Sequence, residues 1–375
     1  MPWKETTAMS ERIDFINKIQ VEEKNISAAC REYGISRTTG YKWLRRYAEA
    51  GTAGLQDRSR RPHRNPNQTS REIEVAIVQV RSNHPSWGGV KINAYLARQG
   101  WHGLPAASTV TAILQRHGQI DHQESIKHRP IQRFEREAPN ELWQMDFKGH
   151  FKLDEGNCHP LTILDDHSRF LLGLQACSDQ TWQTVQTQLS HIFRQYGLPD
   201  CMLMDNGSPW GDDWHSPYTI LTTWLMRLGI TVIHGRPYHP QTQGKDERLH
   251  RTFQVELLDQ VSLRNLQDCQ IHFNLWRDFY NKERPHQALN QAVPAECYQP
   301  SQRPFPETLP PILYEPVDVI RMVDVAGKIS YHGKRFRISK AFRGQPVAIR
   351  PTNIDGLFDV FYCSFSVAKI DLRIK

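Results

Sequence analysis

The segment LWQMDFKGHF, residues 142–151, carries Asp146 within an otherwise largely apolar run. Such a run of Leu, Trp, Met and Phe is typical of a buried β-strand. Two later segments carry acidic residues in related positions: MLMDNGSP ends a short apolar run at Asp205, and HPQTQGKDERLHRTF places Glu247 on a predicted helix. A carboxylate on one strand, another at the end of a second strand and a third on a later helix can meet at one edge of a sheet. The three segments therefore predict an α/β domain with an acidic site.

An acidic cluster of this kind is suited to divalent cations. Two ions about 3.5–4 Å apart can activate an attacking oxygen and stabilise a leaving oxygen during phosphodiester cleavage. Magnesium is favoured because hard cations take carboxylate and phosphate oxygens together. We expect Asp146, Asp205 and Glu247 to be both the catalytic residues and the ligands of two Mg²⁺ ions per site, for which Mn²⁺ can substitute.

Each of these carboxylates also has an ordinary structural explanation. An Asp after a strand is often a turn residue or a helix cap, and a Glu on a charged helix face is usually solvated. Asp165 and Asp166, in LTILDDHSRF, compete for the site but lie at a predicted hairpin. Asp246 precedes Glu247 directly, and helical neighbours cannot share one face, so only one of the two can point inward.

Five segments in this order, WQMDFKG, LTILDDHSRFLLG, MLMDNGS, YHPQTQGKDERLHRTF and YNKERPHQAL, resemble the integrase-type catalytic core of bacterial insertion-sequence transposases, which is related to retroviral integrases. The resemblance runs from Leu142 to Ala295. It implies a ribonuclease-H-like fold and an Asp-Asp-Glu triad, which falls on Asp146, Asp205 and Glu247. Glu247 lies 42 positions after Asp205 in the sequence, a longer spacing than the one associated with the family. We assign the extra length to the loop SPWGDDWHSPY, within an insertion at 206–218.

Length and cysteine content limit the class of protein. A chain of 375 residues exceeds what one core usually supports, so several domains are expected. The seven Cys residues, an odd number scattered along the chain, indicate a reducing compartment. They include no Cys-x-x-Cys pair, which argues against a zinc knuckle. No apolar run reaches membrane length. We expect a bacterial cytoplasmic protein with no membrane partner, associated with the nucleoid when bound to DNA.

The charge is distributed unevenly along the chain. Residues 1–140 hold 22 Lys and Arg against 14 Asp and Glu, residues 141–300 hold 13 against 19, and residues 301–375 hold 12 against 7. Basic segments can neutralise DNA phosphates, whereas an acidic centre needs metal ions before it can approach DNA. The pattern predicts two DNA-binding arms around a metal-dependent core.

Residues 1–55 are predicted to form a helix-turn-helix DNA-binding domain. Ser27 and Ser36 are expected to cap its second and third helices, which Gly34 and Gly51 would end. The third helix would present an exposed basic and aromatic face suited to phosphates and base edges. This face comprises Arg37, Thr38, Tyr41, Lys42 and Arg45. The alternative is a plain three-helix bundle whose basic face is only solvated.

A basic linker, residues 56–69, follows, and a second helix-turn-helix, with or without a wing, is predicted over 70–118. Two such domains can read a longer site than one. The linker's arginines could follow a minor groove, or the segment could be a simple spacer. They are Arg58, Arg60, Arg61 and Arg64. A polar linker at 119–140 leads into the core.

The core is predicted over 141–298, with three hairpin-linked strands followed by strands that alternate with helices. A Pro-rich linker at 299–316 precedes a small basic β-barrel or sandwich at 317–375. Further DNA contacts are expected beside Glu247 and in this last domain, from Lys245, Arg248, Arg251, Lys334, Arg335 and Arg337. The alternatives are a solvated helix start and a barrel that only packs on the core.

The resemblance implies a DNA transposase of an insertion sequence. Such a protein binds terminal inverted repeats and catalyses metal-dependent strand cleavage and 3′-hydroxyl strand transfer. Its partners would be double-stranded DNA, as transposon ends and as target, and further copies of itself in a dimer or larger assembly. The alternative is a catalytically inactive, transposase-derived DNA-binding regulator, which divalent-dependent nicking would distinguish. A tyrosine or serine recombinase would instead need a protein nucleophile beside Arg and His residues.

Overall fold

The computed structural model describes residues 7–23, 25–58, 68–120, 136–211, 217–235 and 244–373. The chain divides into two compact units, residues 1–68 and 69–375. Within the described ranges, no helix combines the length and apolar character needed to cross a membrane. The predicted linker contacts Arg60, Arg61 and Arg64 lie outside the described residues.

Three helices form the first unit: α1 (Ala8–Gln20), α2 (Ile26–Glu32) and α3 (Arg37–Ala50), followed by a 3₁₀ turn. Ser36 caps α3 as predicted, because its side chain accepts a hydrogen bond from the Thr39 amide at 3.1 Å. The cap of α2 is Asn25 and not Ser27. The Asn25 side chain accepts from the Ser27 amide at 2.8 Å, so the helix begins earlier than predicted.

The first unit packs around Phe15, Ile16, Cys30, Trp43 and Leu55, all buried. Gly40 permits the close approach of α3 to α2, because a Cβ at this position would lie 2.6 Å from the sulfur of Cys30. This packing leaves the opposite side of α3 to solvent.

A second three-helix module opens the larger unit, with α4 (Arg71–Asn83), α5 (Gly89–Arg98) and α6 (Ala107–Arg116). Ser70 caps α4. Apolar side chains from all three helices and the α4–α5 turn form its core. These are Ile77, Trp87, Ile92, Val110 and Ile113.

The mixed sheet at the centre of the larger unit contains β1 (Leu142–Phe147), β2 (Phe151–Lys152), β3 (Asn157–Asp165), β4 (Leu171–Cys177), β5 (Cys201–Met204) and β6 (Thr231–His234). Its order is β2-β3-β1-β5-β6, with β4 also paired to β3. β3 is antiparallel to β1 and β4, whereas β5 is parallel to β1 and β6. This is the predicted arrangement of three hairpin-linked strands followed by helix-linked ones.

Helices cover both faces of the sheet. Apolar side chains of α7 (Trp182–Tyr196) and α8 (Ile220–Arg227) pack in one cluster with Trp143 and Met145. The other cluster contains side chains of α9 (Gly244–Phe253) and α10 (Leu266–Lys282), and the short helix α11 (Pro294–Cys297) follows. A π-helical turn at Gln254–Leu258 continues α9. The aromatic residues of α10 are buried, which agrees with core packing; they are Phe273, Trp276 and Tyr280.

The Pro-rich segment 299–316 packs along the core at Arg303. The Arg303 carbonyl accepts from the Leu198 amide at 2.8 Å. Its guanidinium donates to the carbonyls of Leu228 and Gly229 at 3.1 and 2.9 Å, which satisfies acceptors left at the end of α8. The segment therefore forms specific contacts and is more than a spacer.

The C-terminal domain contains β7 (Val319–Met322), β8 (Lys328–Tyr331), β9 (Lys334–Arg337), β10 (Pro346–Pro351), β11 (Leu357–Tyr362) and β12 (Phe365–Asp371). A small antiparallel β domain was expected and is present, but a closed barrel is not confirmed. In the described residues, β12-β11-β10-β7 form one open sheet and β8-β9 a separate hairpin. Met226 of α8 packs into the core of this domain, so a helix and not a further strand covers part of it.

Candidate active site

The first candidate ligand, Asp146, lies near the end of β1, opposite Thr162 of β3. One carboxylate oxygen accepts from the Phe147 amide at 2.8 Å. Burial raises the pKa of Asp146 to about 6; the Phe147 hydrogen bond opposes this shift and the charge of Asp205 adds to it. The effect of Asp205 indicates that the two carboxylates lie near each other.

Strand register explains why Asp146 and Asp205 meet. β1 and β5 are parallel neighbours, and their last paired positions are Gln144 and Leu203. Asp146 follows two residues after Gln144 on β1, and Asp205 follows two residues after Leu203, just beyond the end of β5, so both lie at the same edge of the sheet. Asp205 is exposed, and its carboxylate accepts from the Asn206 amide at 2.7 Å. The structure thus brings together the two aspartates selected from the sequence.

The helix α9 buries Asp246 and exposes Glu247. Asp246 is only 2% exposed, and burial raises its pKa well above the usual range, with further contributions from Asp146 and Asp166. One of its oxygens, Oδ1, is buried without a hydrogen-bond partner in the described part of the chain. The inward position of α9 is therefore taken by Asp246, and Glu247 faces solvent.

Asp166 anchors the start of α9 and is more than a turn residue. Lys245 donates to its carboxylate at 2.6 Å and to its backbone carbonyl at 3.0 Å. The side chain of Gln144 also donates to this carboxylate, at 2.6 Å. Asp165 fulfils the predicted turn role, since it accepts from both the amide and the hydroxyl of Ser168. Lys245 is consequently committed to an internal ion pair.

A histidine that the sequence analysis did not select lies beside Asp146. His250 Nδ1 is 4.0 Å from the Asp146 carboxylate, and its Nε2 lies 2.8 Å from the Thr162 hydroxyl. That hydroxyl donates to the Asp146 carbonyl at 3.0 Å, so it accepts from Nε2–H. Burial, followed by the charge of Lys148, lowers the pKa of His250 to about 4, and the ring is therefore neutral. Its spacing of four residues from Asp246 on α9 is the signal that could have identified it.

The donor set at this edge suits a hard divalent cation. Across the described ranges, neither Asp146 nor Asp205 forms an ion pair with Lys or Arg, and the charge of Asp205 acts on Asp146. The Asp246 oxygen without a partner is a third acidic acceptor nearby. No group of three His, Cys, Asp or Glu side chains close enough to hold a metal occurs within the described residues. Glu247 therefore does not complete a three-carboxylate cluster in this conformation.

The predicted contact face of α3 is exposed along its whole length. All five of its residues point to solvent, namely Arg37, Thr38, Tyr41, Lys42 and Arg45. On the other side of the helix, Trp43 is buried under the guanidinium of Arg12, 4.0 Å from the ring centre. Arg58 is exposed as well and lies 4.0 Å from Glu49.

Four other predicted contacts are exposed, Arg248 and Arg251 on α9 and Lys334 and Arg337 on β9. Arg335 is exposed as well and forms an ion pair with Asp324. Pairing with Asp324 reduces the positive charge that Arg335 can offer to a phosphate.

Sequence comparison identifies the domains of the chain. Residues 136–240 and 228–294 each match the model of the integrase core domain. Residues 11–63 match a helix-turn-helix domain and residues 39–114 a homeodomain-like domain. Together these matches indicate an integrase core preceded by DNA-binding helix-turn-helix domains. Residues 318–375 match the C-terminal domain of the IS481 family transposases.

Curated relatives agree with this identification. An uncharacterized 31.7 kDa protein of insertion element IS407 from Burkholderia multivorans is 24% identical over 288 residues, which cover 74% of this chain and 91% of that protein. The transposase for transposon Tn552 from Staphylococcus aureus is 24% identical over 283 residues, which cover 67% of this chain and 56% of that protein. Among solved structures, the catalytic core domain of BIV integrase is 24% identical, covers 42% of this chain and 93% of its own, and has a TM-score of 0.33.

Proposed function

We propose that the protein is a transposase that cuts DNA at the ends of an insertion sequence and joins the released 3′-hydroxyls to target DNA. Water would attack the phosphodiester at the transposon end, and the 3′ oxygen would leave as the new hydroxyl. In a second reaction, that hydroxyl would attack a target phosphodiester and displace its 3′ oxygen. In each reaction the attacking oxygen forms a new bond to phosphorus as the 3′ oxygen leaves. No covalent link to the protein is therefore required.

The pairing of Asp146 and Asp205 at one sheet edge is the observation that carries this proposal. Two neighbouring carboxylates without a Lys or Arg partner in the described residues favour a divalent cation between them. Asp146 and Asp205 would hold a shared Mg²⁺ or Mn²⁺ ion, and Glu247 would bind a second ion. The ions, when bound, supply activation of the attacking oxygen and stabilisation of the leaving one.

Side chains around the carboxylates would position them. His250 and Thr162 fix the backbone of β1 at Asp146 through two hydrogen bonds, 2.8 and 3.0 Å long. The Lys245–Asp166 ion pair holds the first turn of α9, which carries Glu247. Most of the rate enhancement would then come from positioning and charge stabilisation, as in phosphoryl transfer generally.

Recognition of the transposon ends would fall to the helix-turn-helix domains. The exposed face of α3 offers both charged and hydrogen-bonding side chains, which suits contacts with phosphates and with base edges in a major groove. Terminal inverted repeats are the DNA that a transposase must distinguish from all other sequence. Two ends must be joined together, so we also propose an assembly of at least two chains.

One observation favours the alternative, a DNA-binding regulator that has lost catalysis. Glu247 is exposed and Asp246 occupies the inward position on α9. If α9 keeps this orientation on DNA, the second ion would lack its ligand and cutting would be lost while recognition remained.

The decisive experiment measures Mg²⁺-dependent nicking and joining of labelled DNA that carries the element's ends. The unsubstituted protein should cut and join, and Asp205→Asn should bind the ends normally but lose about a hundredfold or more in rate, because a neutral amide cannot anchor the cation. Asp278→Asn is the matched control on the exposed face of α10 and should retain full rate. Normal joining by Asp205→Asn would reject the site, and absence of cutting by every variant would favour the regulator.

A further inference from the structure

Two buried, oppositely charged residues lie where the α4–α6 module meets the catalytic core. Glu256 belongs to the π-helical turn after α9, and Arg284 opens the Arg-Pro-His tract after α10. Their side chains are 4% and 9% exposed, and Arg284 Nε lies 3.0 Å from Glu256 Oε2. Charges are rarely buried this deeply unless the surrounding groups satisfy them.

The Glu256 carboxylate joins the core to the module. From the core it accepts two donors of Arg284, Nε and Nη2, at 3.0 Å each. From the module it accepts the Trp87 indole N–H at 3.0 Å and the Ser86 hydroxyl at 3.1 Å. Burial would raise the pKa of Glu256, but Arg284 and these hydrogen bonds outweigh it and lower the pKa. The carboxylate is therefore charged and bonded from both sides of the interface.

Aromatic rings and a peripheral ion pair extend this interface. The ring of Phe279, on α10, stacks on His84 with centroids 5.0 Å apart and lies 5.9 Å from Trp87. At the edge, Arg98 of α5 pairs with Glu296 of α11 through contacts of 2.7 and 3.2 Å. The interface therefore gains apolar ring contacts from Phe279 and an ion pair from Arg98 and Glu296.

The interface is connected directly to the candidate active site. Glu256 lies nine residues after Glu247 on the continuous helical segment formed by α9 and its π turn. A π turn is a rare conformation that is often found near functional sites. Here it turns Glu256 toward the module, while the preceding turns of α9 carry Asp246 and His250 to the sheet edge.

The outward side of the module offers hydrogen bonds and little charge. Ser108, Ala112 and Gln115 are exposed along one face of α6. The one basic side chain of α6, Arg116, pairs with Glu74 of α4 at 2.8 Å. Such a face suits contact with base edges in a groove better than neutralisation of phosphates.

We propose that the α4–α6 module is a fixed part of the catalytic body and that Glu256, as a positioning residue, sets which phosphodiester of the transposon end is cut. DNA held by α6 would lie at a constant distance from Asp146 and Asp205. This inference rests on the proposed function. It assigns Arg284, the first residue of the Arg-Pro-His tract, a role in the interface, because its guanidinium holds Glu256.

The test compares Glu256→Gln with Glu296→Gln, a Glu-to-Gln change at the exposed edge of the same interface. Hydrogen exchange of the full chain without DNA should rise about tenfold or more across α4 and α5 in Glu256→Gln and little in Glu296→Gln. Ser86→Ala removes only the exposed hydroxyl that donates to Glu256 and should produce a smaller rise. End-labelled DNA should then be cut at one phosphodiester by the unsubstituted protein and at several neighbouring ones by Glu256→Gln, with end binding retained.

The outcomes separate the parts of this proposal. Unchanged hydrogen exchange in Glu256→Gln would show that Glu256 does not hold the module. Increased exchange with a single, unmoved cleavage position would show that the module does not set the cut. If the unsubstituted protein does not cut the DNA at all, the proposed function is wrong, and the positioning role of Glu256 is rejected with it.

Discussion

Asp246 and Glu247 are adjacent residues on α9 with opposite environments. Neighbours on a helix are separated by about 100° around its axis, so one faces the sheet when the other faces solvent. The buried one, Asp246, lies near two other acidic groups, Asp146 and Asp166. The ion pair of Lys245 with Asp166 offsets part of this unfavourable charge but leaves Asp246 itself without an ion pair among the described residues.

We expect the two residues to respond differently to removal of their charges. Glu247→Gln should reduce strand cleavage about a hundredfold or more, because the second ion loses its carboxylate. Asp246→Asn should raise the free energy of unfolding by about 1–2 kcal/mol, because the buried carboxyl must either bind a proton on folding or carry a charge near like charges, and an amide does neither. This variant should reduce cleavage much less than Glu247→Gln. Thermal unfolding and cleavage rates would be measured on both variants. A larger loss of cleavage in Asp246→Asn would transfer the catalytic role to Asp246.

At the scale of the element, most helices and strands could be predicted because their signals are local. Ser36 and Gly51 mark the ends of α3, and the apolar runs mark the strands that hold Asp146 and Asp205. The orientation of α9 could not be predicted. Periodicity alone cannot distinguish Asp246 from Glu247, since the choice depends on Lys245, Asp166 and the packing of Leu249 and Phe253 against the sheet.

The docking of the α4–α6 module also could not be predicted from the sequence. The hydrogen bonds that hold it join Trp87 to Glu256, residues 169 positions apart. No local pattern reports such a distant pair, and the polar tract 119–140 suggested a free linker instead. Likewise, barrel closure depends on which edges pair, and the alternation of residues in 317–375 does not determine that.

Lys91, on α5, provides a test of this docking. Burial lowers the pKa of Lys91 to about 7, with Arg284 and Arg248 adding to the shift and Glu256 opposing it. The folded protein therefore releases this proton above about pH 7, whereas the unfolded chain keeps it until about 10.5, so Lys91 destabilises the fold most at or below pH 7.

Lys91→Met should accordingly raise the melting temperature at pH 7 by about 2 °C, and the difference from the unsubstituted protein should shrink toward pH 10. The exposed Lys282 of α10 is the control, and Lys282→Met should change the melting temperature little at any pH. Differential scanning calorimetry across this pH range would measure both. A constant difference between Lys91→Met and the parent protein would contradict the assignment.

At the scale of the whole molecule, the exposed α3 face and the candidate active site belong to different compact units. Residues 1–68 form one unit with the exposed α3 face, and residues 69–375 form another with the site, the α4–α6 module and the C-terminal domain. The boundary lies before α4, so removing 1–68 should leave the contacts of Glu256 and Arg284 intact. Removing the module as well would take away the Ser86 and Trp87 donors and leave Glu256 with only its ion pair to Arg284.

A chain lacking residues 1–68 should fold and retain weak, salt-sensitive DNA binding but lose most of its preference for the element's ends. Lys42→Ala in the full chain should weaken end binding by about tenfold, and Arg31→Ala, an exposed change on α2, should have little effect. Gel-shift measurements with end and random DNA would give the specificity ratio of each. Undiminished preference in the truncated chain would place end recognition in the second module.

The segment between the two units limits where the α3 face can bind relative to the site. From Arg58 to Thr69 the chain spans 11 peptide steps, which reach at most roughly 38 Å when extended. That length corresponds to about 11 base pairs of duplex at 3.4 Å each. It is enough for one copy to bind an end while another copy in the same assembly cuts it.

We therefore expect cleavage in trans within an assembly of at least two chains. One site positions one 3′-hydroxyl at a time, whereas insertion requires two joined ends a fixed distance apart, and a two-fold pair of sites satisfies this most simply. The measurement mixes a chain lacking residues 1–68, which cannot select the ends, with an Asp205→Asn chain, which cannot cut. Each alone should be inactive on end DNA, and the mixture should recover a substantial part of strand joining, because the truncated chain supplies the carboxylates to an end held by the other. If mixed complexes form but joining is not recovered, each chain cuts the end that it binds.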